Sequence, residues 1–246
     1  MEIDDPQIAA LIADLDHHDK PTLRAAVDKL IALATKFPEL REILIRRLAT
    51  AGHKNYWPIA YVIGHLPQPS GAALESLLDA LDHREPDIRW AIALLLVRIG
   101  KQDTHLVDSL IRLCTGGTVN QKRMALYCLR DLALCDPVSS AAFLAALRDP
   151  DASVRVAAAI CLKLRPELDE AGKNGLLQIY LNDSEMKVRN AAAIALAHLG
   201  RPDAEFLTAL RKNSESGNDQ TRKAAVTALQ LLEKRRSASS GSQSDR

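Results

Sequence analysis

Apolar and polar positions along much of the chain recur with a period near 3.6 residues, which is the spacing of one face of an α-helix. The pattern is clearest in "DPDASVRVAAAICLKL" (Asp149 to Leu164) and "DSEMKVRNAAAIALAHLG" (Asp183 to Gly200), which share one order of residue types. Each opens with charge, runs into alanine and ends on leucine. Anchored on the base of the "VR" pair, the order returns at Arg24, Arg89, Lys122, Arg155, Arg189 and Arg222, and Trp57 stands where the second copy would carry its base. The intervals are 33, 32, 33, 33, 34 and 33 residues. Small or apolar residues follow each anchor at fixed offsets: Ala158, Cys161 and Leu162 in one copy, Ala192, Ala195, Leu196 and Leu199 in the next, and Ala225, Ala228, Leu229 and Leu232 in the last.

Between these stripes lie others of the same kind, such as "PELREILIRRLATA", "THLVDSLIRLC" and "VSSAAFLAALR". Pro6, Pro38, Pro86, Pro137 and Pro202 mark helix starts, where a missing N–H costs little. Asp5 and Asp136 precede two of them as N-caps. No stretch alternates with period two, so no sheet is expected. A two-helix repeat of this length cannot enclose its own apolar faces and must stack on its neighbours. The expected fold is therefore all-α: an α-solenoid of about seven two-helix repeats over residues 1–235. Alanine three positions past the anchor lets second helices approach closely. The end of the chain, 236–246, is Ser-rich and expected to be a disordered tail.

Composition narrows the chemistry. With 47% hydrophobic and 26% charged residues the chain is an ordinary globular protein. Its 32 Lys and Arg against 31 Asp and Glu give a net charge of +1, so no global field draws nucleic acid or an anionic membrane. The start, "MEIDDPQIAALIADLDHHDK", is acidic and lacks the basic region and apolar core of a secretion signal. The longest uncharged apolar run, Trp90 to Val97, is far short of the roughly 20 residues a membrane span needs. Cys114, Cys128, Cys135 and Cys161 form no CxxC pair and have no histidine at zinc-finger spacing. They are expected to be reduced core thiols, and the protein cytoplasmic.

The order D-x-x-V-R-x-x-A-A-x-x-L, seen as "DASVRVAAAICL" and more loosely as "EPDIRWAIALLL", resembles HEAT repeats of the short type first recognised in phycobilisome lyases. The tetratricopeptide and ankyrin signatures of similar period are absent. The resemblance covers roughly residues 5 to 233; copies 3, 5 and 6 are clear and copies 1, 2 and 4 degenerate. It implies that the anchor base belongs to a ladder with the aspartate opening the same helix, here Asp87, Asp151 and Asp219. It also implies that the second helices line a concave face.

No catalytic, cofactor or metal residues are expected. "GGTVNQKR" and "IGKQDT" lack phosphate-loop spacing, and G-x-S-x-G does not occur. His17, His18, His53, His65, His83, His105 and His198 are never followed by glutamate. The HEAT-like deoxyhypusine hydroxylases, by contrast, hold iron with repeated His-Glu pairs. The informative departure is aromatic. Tyr56, Trp57, Tyr61, Trp90 and Tyr127 all fall in the second helices of copies 2 to 4, in a chain with only 4% aromatics. Helical geometry turns positions one and eight past the anchor away from the buried stripe, so Trp90, His65, Arg123 and Arg130 are expected to be exposed. Trp57, Tyr61, His65, Trp90, Arg123, Tyr127 and Arg130 form the expected partner-binding set, since exposed tryptophan, tyrosine and arginine dominate binding hot spots. The expected function is a non-catalytic scaffold that holds another protein or peptide segment on the concave face, with no membrane partner. The resemblance also implies two alternatives: a bilin or tetrapyrrole lyase-like activity, and duplex DNA binding as in a HEAT-like DNA glycosylase family.

Overall fold

The computed structural model describes residues 6–17, 19–51, 56–133, 137–165, 168–200 and 203–241. The expected caps Asp5 and Asp136, Pro202, His18, His53 and Cys135 lie outside these residues. The described residues contain fourteen α-helices and no strand, and the fold is an all-α solenoid of helix pairs. Two compact parts divide the chain, residues 1–110 and 111–246.

The first part holds α1 (Pro6–Asp14), α2 (Lys20–Lys36), α3 (Pro38–Ala51), α4 (Trp57–His65), α5 (Gly71–Asp79), a 3-10 turn (Ala80–Asp82), α6 (Pro86–Gly100) and the start of α7 (Thr104–Gly116). Helices α2, α4 and α6 pack in succession, and α3 and α5 both pack against α4. Local chemistry sets the ends. Asp19 accepts from the Thr22 N–H at 3.0 Å to cap α2, and Pro38 and Pro86 open α3 and α6. Helix α4 buries Ile59, Ala60, Val62, Ile63 and Gly64. A Cβ on Gly64 would stand 2.9 Å from Leu95 Cδ2 and 3.1 Å from Leu77 Cδ1, so only glycine permits this approach without a shift in its neighbours.

The second part holds α8 (Val119–Asp131), α9 (Pro137–Ala146), α10 (Ala152–Leu162), α11 (Glu170–Asn182), α12 (Met186–Leu199), α13 (Ala204–Ser216) and α14 (Asp219–Gly241). Helices α8, α10, α12 and α14 pack in succession, with α9, α11 and α13 against α10, α12 and α14. Ala158, Ala192 and Ala225 are buried at these seams, as are Ala195 and Ala228 one turn on. Small side chains keep the helices close, while Phe143, Leu162, Leu176 and Phe206 fill the volume beside them. Each fully buried leucine or phenylalanine contributes about 1.5–3 kcal/mol. A Thr118–Gln121 capping box starts α8, and Asp151, Asp169 and Asp203 cap α10, α11 and α13. Helix α14 continues to Gly241, past the 235/236 boundary set by composition. Adding serine and alanine to an established helix fixes few dihedrals per hydrogen bond.

The anchor bases do form a ladder, but mostly not with the aspartate of their own helix. Arg155 donates from Nε and Nη2 to the Asp183 carboxylate at 2.7 and 2.9 Å, and from Nη1 to the carbonyls of Asp149 and Pro150. Lys122 reaches Asp149 at 2.8 Å. Both acids sit in the turn before the next second helix. Arg89 and Arg189 hold the carbonyls of the turns that precede them, His83 and Arg84 for one, Asp183 and Ser184 for the other. Arg222 alone meets its own aspartate, Asp219, at 3.5 Å. For the carbonyl contacts the reason is direction: side chains near a helix start lean back toward the N-terminus and over the preceding turn. Asp151 is meanwhile committed to its cap, accepting from the Ser153 N–H at 2.7 Å, and Asp87 accepts from Lys20 at 3.0 Å.

Candidate functional site

The second copy departs from the repeat, and that departure shapes the first part. Every other second helix begins three or four residues before its anchor position, whereas α4 begins at the anchor itself, Trp57. Pro58 follows at the second helical position, and Tyr56 supplies no side-chain cap. A groove of about 630 Å³ has Trp57 and Tyr61 of α4, Lys20 and Arg24 of α2, and Glu85 and Asp87 at the start of α6 among its walls.

Rings run along α4. Trp57 packs edge-on against His83 at 5.9 Å and against Tyr61 at 6.3 Å, and Tyr61 lies 4.6 Å from His65. Burial lowers the His83 pKa, and its Nδ1 accepts from the Glu85 N–H at 3.1 Å. Burial raises the pKa of Tyr61. Across the groove Lys20 pairs with Glu85 at 2.9 Å and Asp87 at 3.0 Å. Their hydrogen bonds raise the lysine pKa and lower both carboxyls. Tyr56 donates to Asp16 at 3.1 Å.

The structure brings Trp57, Tyr61 and His65 together in one row. Trp90 stands on α6 and is 43% exposed; Leu94, one turn further along the same face, is 64% exposed. Arg123, Tyr127 and Arg130 share α8 in the second part, where Arg130 lies 5.1 Å over the Tyr127 ring and donates to Asp131 at 2.6 Å. Of the four residues expected to be exposed, Trp90 alone is. His65, Arg123 and Arg130 are half-buried. His65 Nδ1 lies 2.9 Å from the Tyr61 carbonyl, and the Arg123 Nε is buried without a hydrogen-bond partner. Sequence reasoning missed Leu94, although it lies four residues past Trp90 and so on the same helical face. It also missed His83, Lys20 and Arg24, because no period links a turn to the helix two repeats earlier.

Cys114, Cys128 and Cys161 are buried free thiols. Burial pushes the Cys114 pKa up to about 12 and the other two higher still, so none is poised as a nucleophile. Among the described residues no group of three or more metal-ligating side chains comes together. No helix among them is long and apolar enough to cross a membrane.

Residues 140–230 match the family described as HEAT repeats, over the same helix pairs that carry the alanine seams and the base ladder. This stretch of the chain is made of HEAT repeats. No curated protein matches its sequence. Solved structures similar to this HEAT-like chain include a designed armadillo repeat protein in complex with the peptide (KR)4, 16% identical, covering 92% of this chain and 99% of that one at a TM-score of 0.42. Human deoxyhypusine hydroxylase in complex with glycerol is 16% identical, covering 93% and 96% at 0.37. The complex of CpcE and CpcF of phycocyanin lyase from Nostoc sp. PCC7120 is 19% identical, covering 92% and 94% at 0.37. These likenesses transfer no activity to the HEAT-like chain.

Proposed function

We propose that this HEAT-like protein is a non-catalytic cytoplasmic scaffold that captures a segment of a partner protein on the face formed by its second helices. The observation that carries the reading is the pair Trp90 and Leu94, 43% and 64% exposed one turn apart on α6. Trp90 is turned away from the buried stripe of Ile92, Leu95 and Ile99. Against a partner it offers a large rigid surface at small entropic cost, as hot-spot aromatics do. Trp57, Tyr61 and His65 on α4 are the further proposed contacts of the first part, and Arg123, Tyr127 and Arg130 on α8 are those proposed for the second.

The test is Trp90→Ala. Folding stability stays within about 1 kcal/mol of wild type, as for most surface substitutions. Binding of a partner isolated with the wild-type chain weakens by about 2 kcal/mol or more. Thermal melts and calorimetric titration measure the two. A variant that unfolds yet keeps its affinity removes Trp90 from the interface and makes it a core residue.

A further inference from the structure

Positions one, five and eight past an anchor lie on the side of the second helix opposite its buried stripe. In the second part this side has one consistent chemistry. Its middle row is apolar, with Tyr127 on α8, Ile160 on α10 and Ile194 on α12, all half-buried. Cations stand on both edges: Arg123 on α8 and Lys223 on α14 along one, Arg130 on α8 and Lys163 at the end of α10 along the other. The same positions of α8, α10, α12 and α14 hold no acid. The two edges are seven residues, about 10 Å, apart along a helix.

The acids nearest these rows are engaged elsewhere. Asp131 takes Arg130, Asp149 and Asp183 take Lys122 and Arg155, and Asp219 meets Arg222. Asp151 is committed to its cap, and neither Glu185, four residues before its anchor, nor Glu233, eleven past its own, falls on this side. Arg123 carries the most weight. It is half-buried, its Nε is shut off from water, and among the described residues its side chain has no hydrogen bond or ion pair. Burying part of a charge without a partner costs stability. Helix dipoles account for cations at the ends of α8 and α10, but Arg123 and Lys223 lie in the N-terminal halves of α8 and α14, where the dipole gives a cation no support. At the other edge, burial and then Lys163 and Arg235 lower the His198 pKa, so positive charge gathers at the end of α12 as well.

Resting on the reading that the second helices hold a partner segment, we propose that the face of α8, α10 and α12 takes an acidic amphipathic peptide. Its apolar side chains rest on Tyr127, Ile160 and Ile194. An Asp or Glu on one flank pairs with Arg123, and one on the other flank with Lys163. A nucleic-acid backbone is the poorer occupant, because it sets phosphates rather than apolar groups against the two isoleucines.

Peptides selected from a random displayed library on the full chain, then synthesised and titrated by fluorescence anisotropy, test this. Selected sequences should combine apolar residues with Asp or Glu and bind more weakly as salt rises. Arg123→Gln should weaken binding about tenfold or more, the loss of a charge-assisted hydrogen bond. Lys163→Gln, at the more open edge, should cost about threefold. Replacing a peptide acid by its amide should cost a similar factor in wild type and little in the variant that lacks its partner, so that the two changes are coupled. Thermal melts of both variants should stay at or above that of wild type, since neither side chain has a partner to lose; a lower melt for Arg123→Gln makes that residue structural. Selected peptides that are basic, or that lose affinity with Trp90→Ala and with neither Arg123→Gln nor Lys163→Gln, overturn the acidic-peptide assignment and leave the scaffold reading standing. A library that yields no binder, while duplex DNA binds through Arg123 and Lys163 with steep salt dependence, overturns both.

Discussion

Asp183 accepts both forks of the Arg155 guanidinium while its own side chain is only 7% exposed. Desolvation pushes its pKa up, but the Arg155 hydrogen bond and the Glu185 N–H outweigh that and hold it below the ordinary 3.8. A carboxyl depressed in the folded state contributes stability that is whole above the unfolded value and is lost as pH falls through the folded one. Asp183→Asn is therefore expected to destabilise by about 2 kcal/mol at neutral pH, as loss of a hydrogen-bonded charge pair does. The gap to wild type should close as pH falls below 3.8. Urea melts across that range measure it, and a gap that stays constant into acid places the stabilisation elsewhere. The base of this pair was legible in the sequence as a recurring arginine, but its partner was not. Periodicity fixes where a residue falls along a helix, whereas the reach of a long side chain depends on which turn lies beneath it.

The element scale is where alanine matters most. Ala192 is fully buried on α12, which packs against both α10 and α14. Ala192→Arg forces bulk and an unpaired charge into that contact and is expected to lower the melting temperature strongly or abolish folding. Circular dichroism at rising temperature decides it, and a wild-type melt means the residue faces outward. Helix type and order were readable from apolar spacing and proline, as at Pro38 and Pro86. The late start of α4 was not. The substitution of Trp57 for a base was visible in the sequence, but that α4 begins at Trp57, with Pro58 in its first turn and no side-chain cap from Tyr56, was not.

Across the molecule, stability in a stacked array is shared between neighbours. In the second part α10 and α12 have a second helix on each side, while α14 packs mainly against α12 and α13. Amide hydrogen exchange should therefore be slowest in α10 and α12 and faster in α14, because local opening costs less where fewer contacts are lost. Equal protection in all three helices would refute nearest-neighbour coupling here. The class of fold was open to reading because one pattern was written repeatedly. The candidate site was open only in part: Trp90 stood out by its angle on the helix, whereas the groove draws its walls from residues more than sixty positions apart, as Lys20 and Asp87 are.

The seams carry one more implication. Ala158, Ala192 and Ala225 occupy the same place in three successive second helices, and each is buried. Neighbouring junctions are close to interchangeable. A whole helix pair can then be copied or excised in a single genetic step, and the new junction brings together faces already suited to one another. Length becomes a quantity this chain can change by whole pairs without a new core having to be invented. The same freedom lets one copy, the second, drift from the pattern while the pairs around it keep the stack intact.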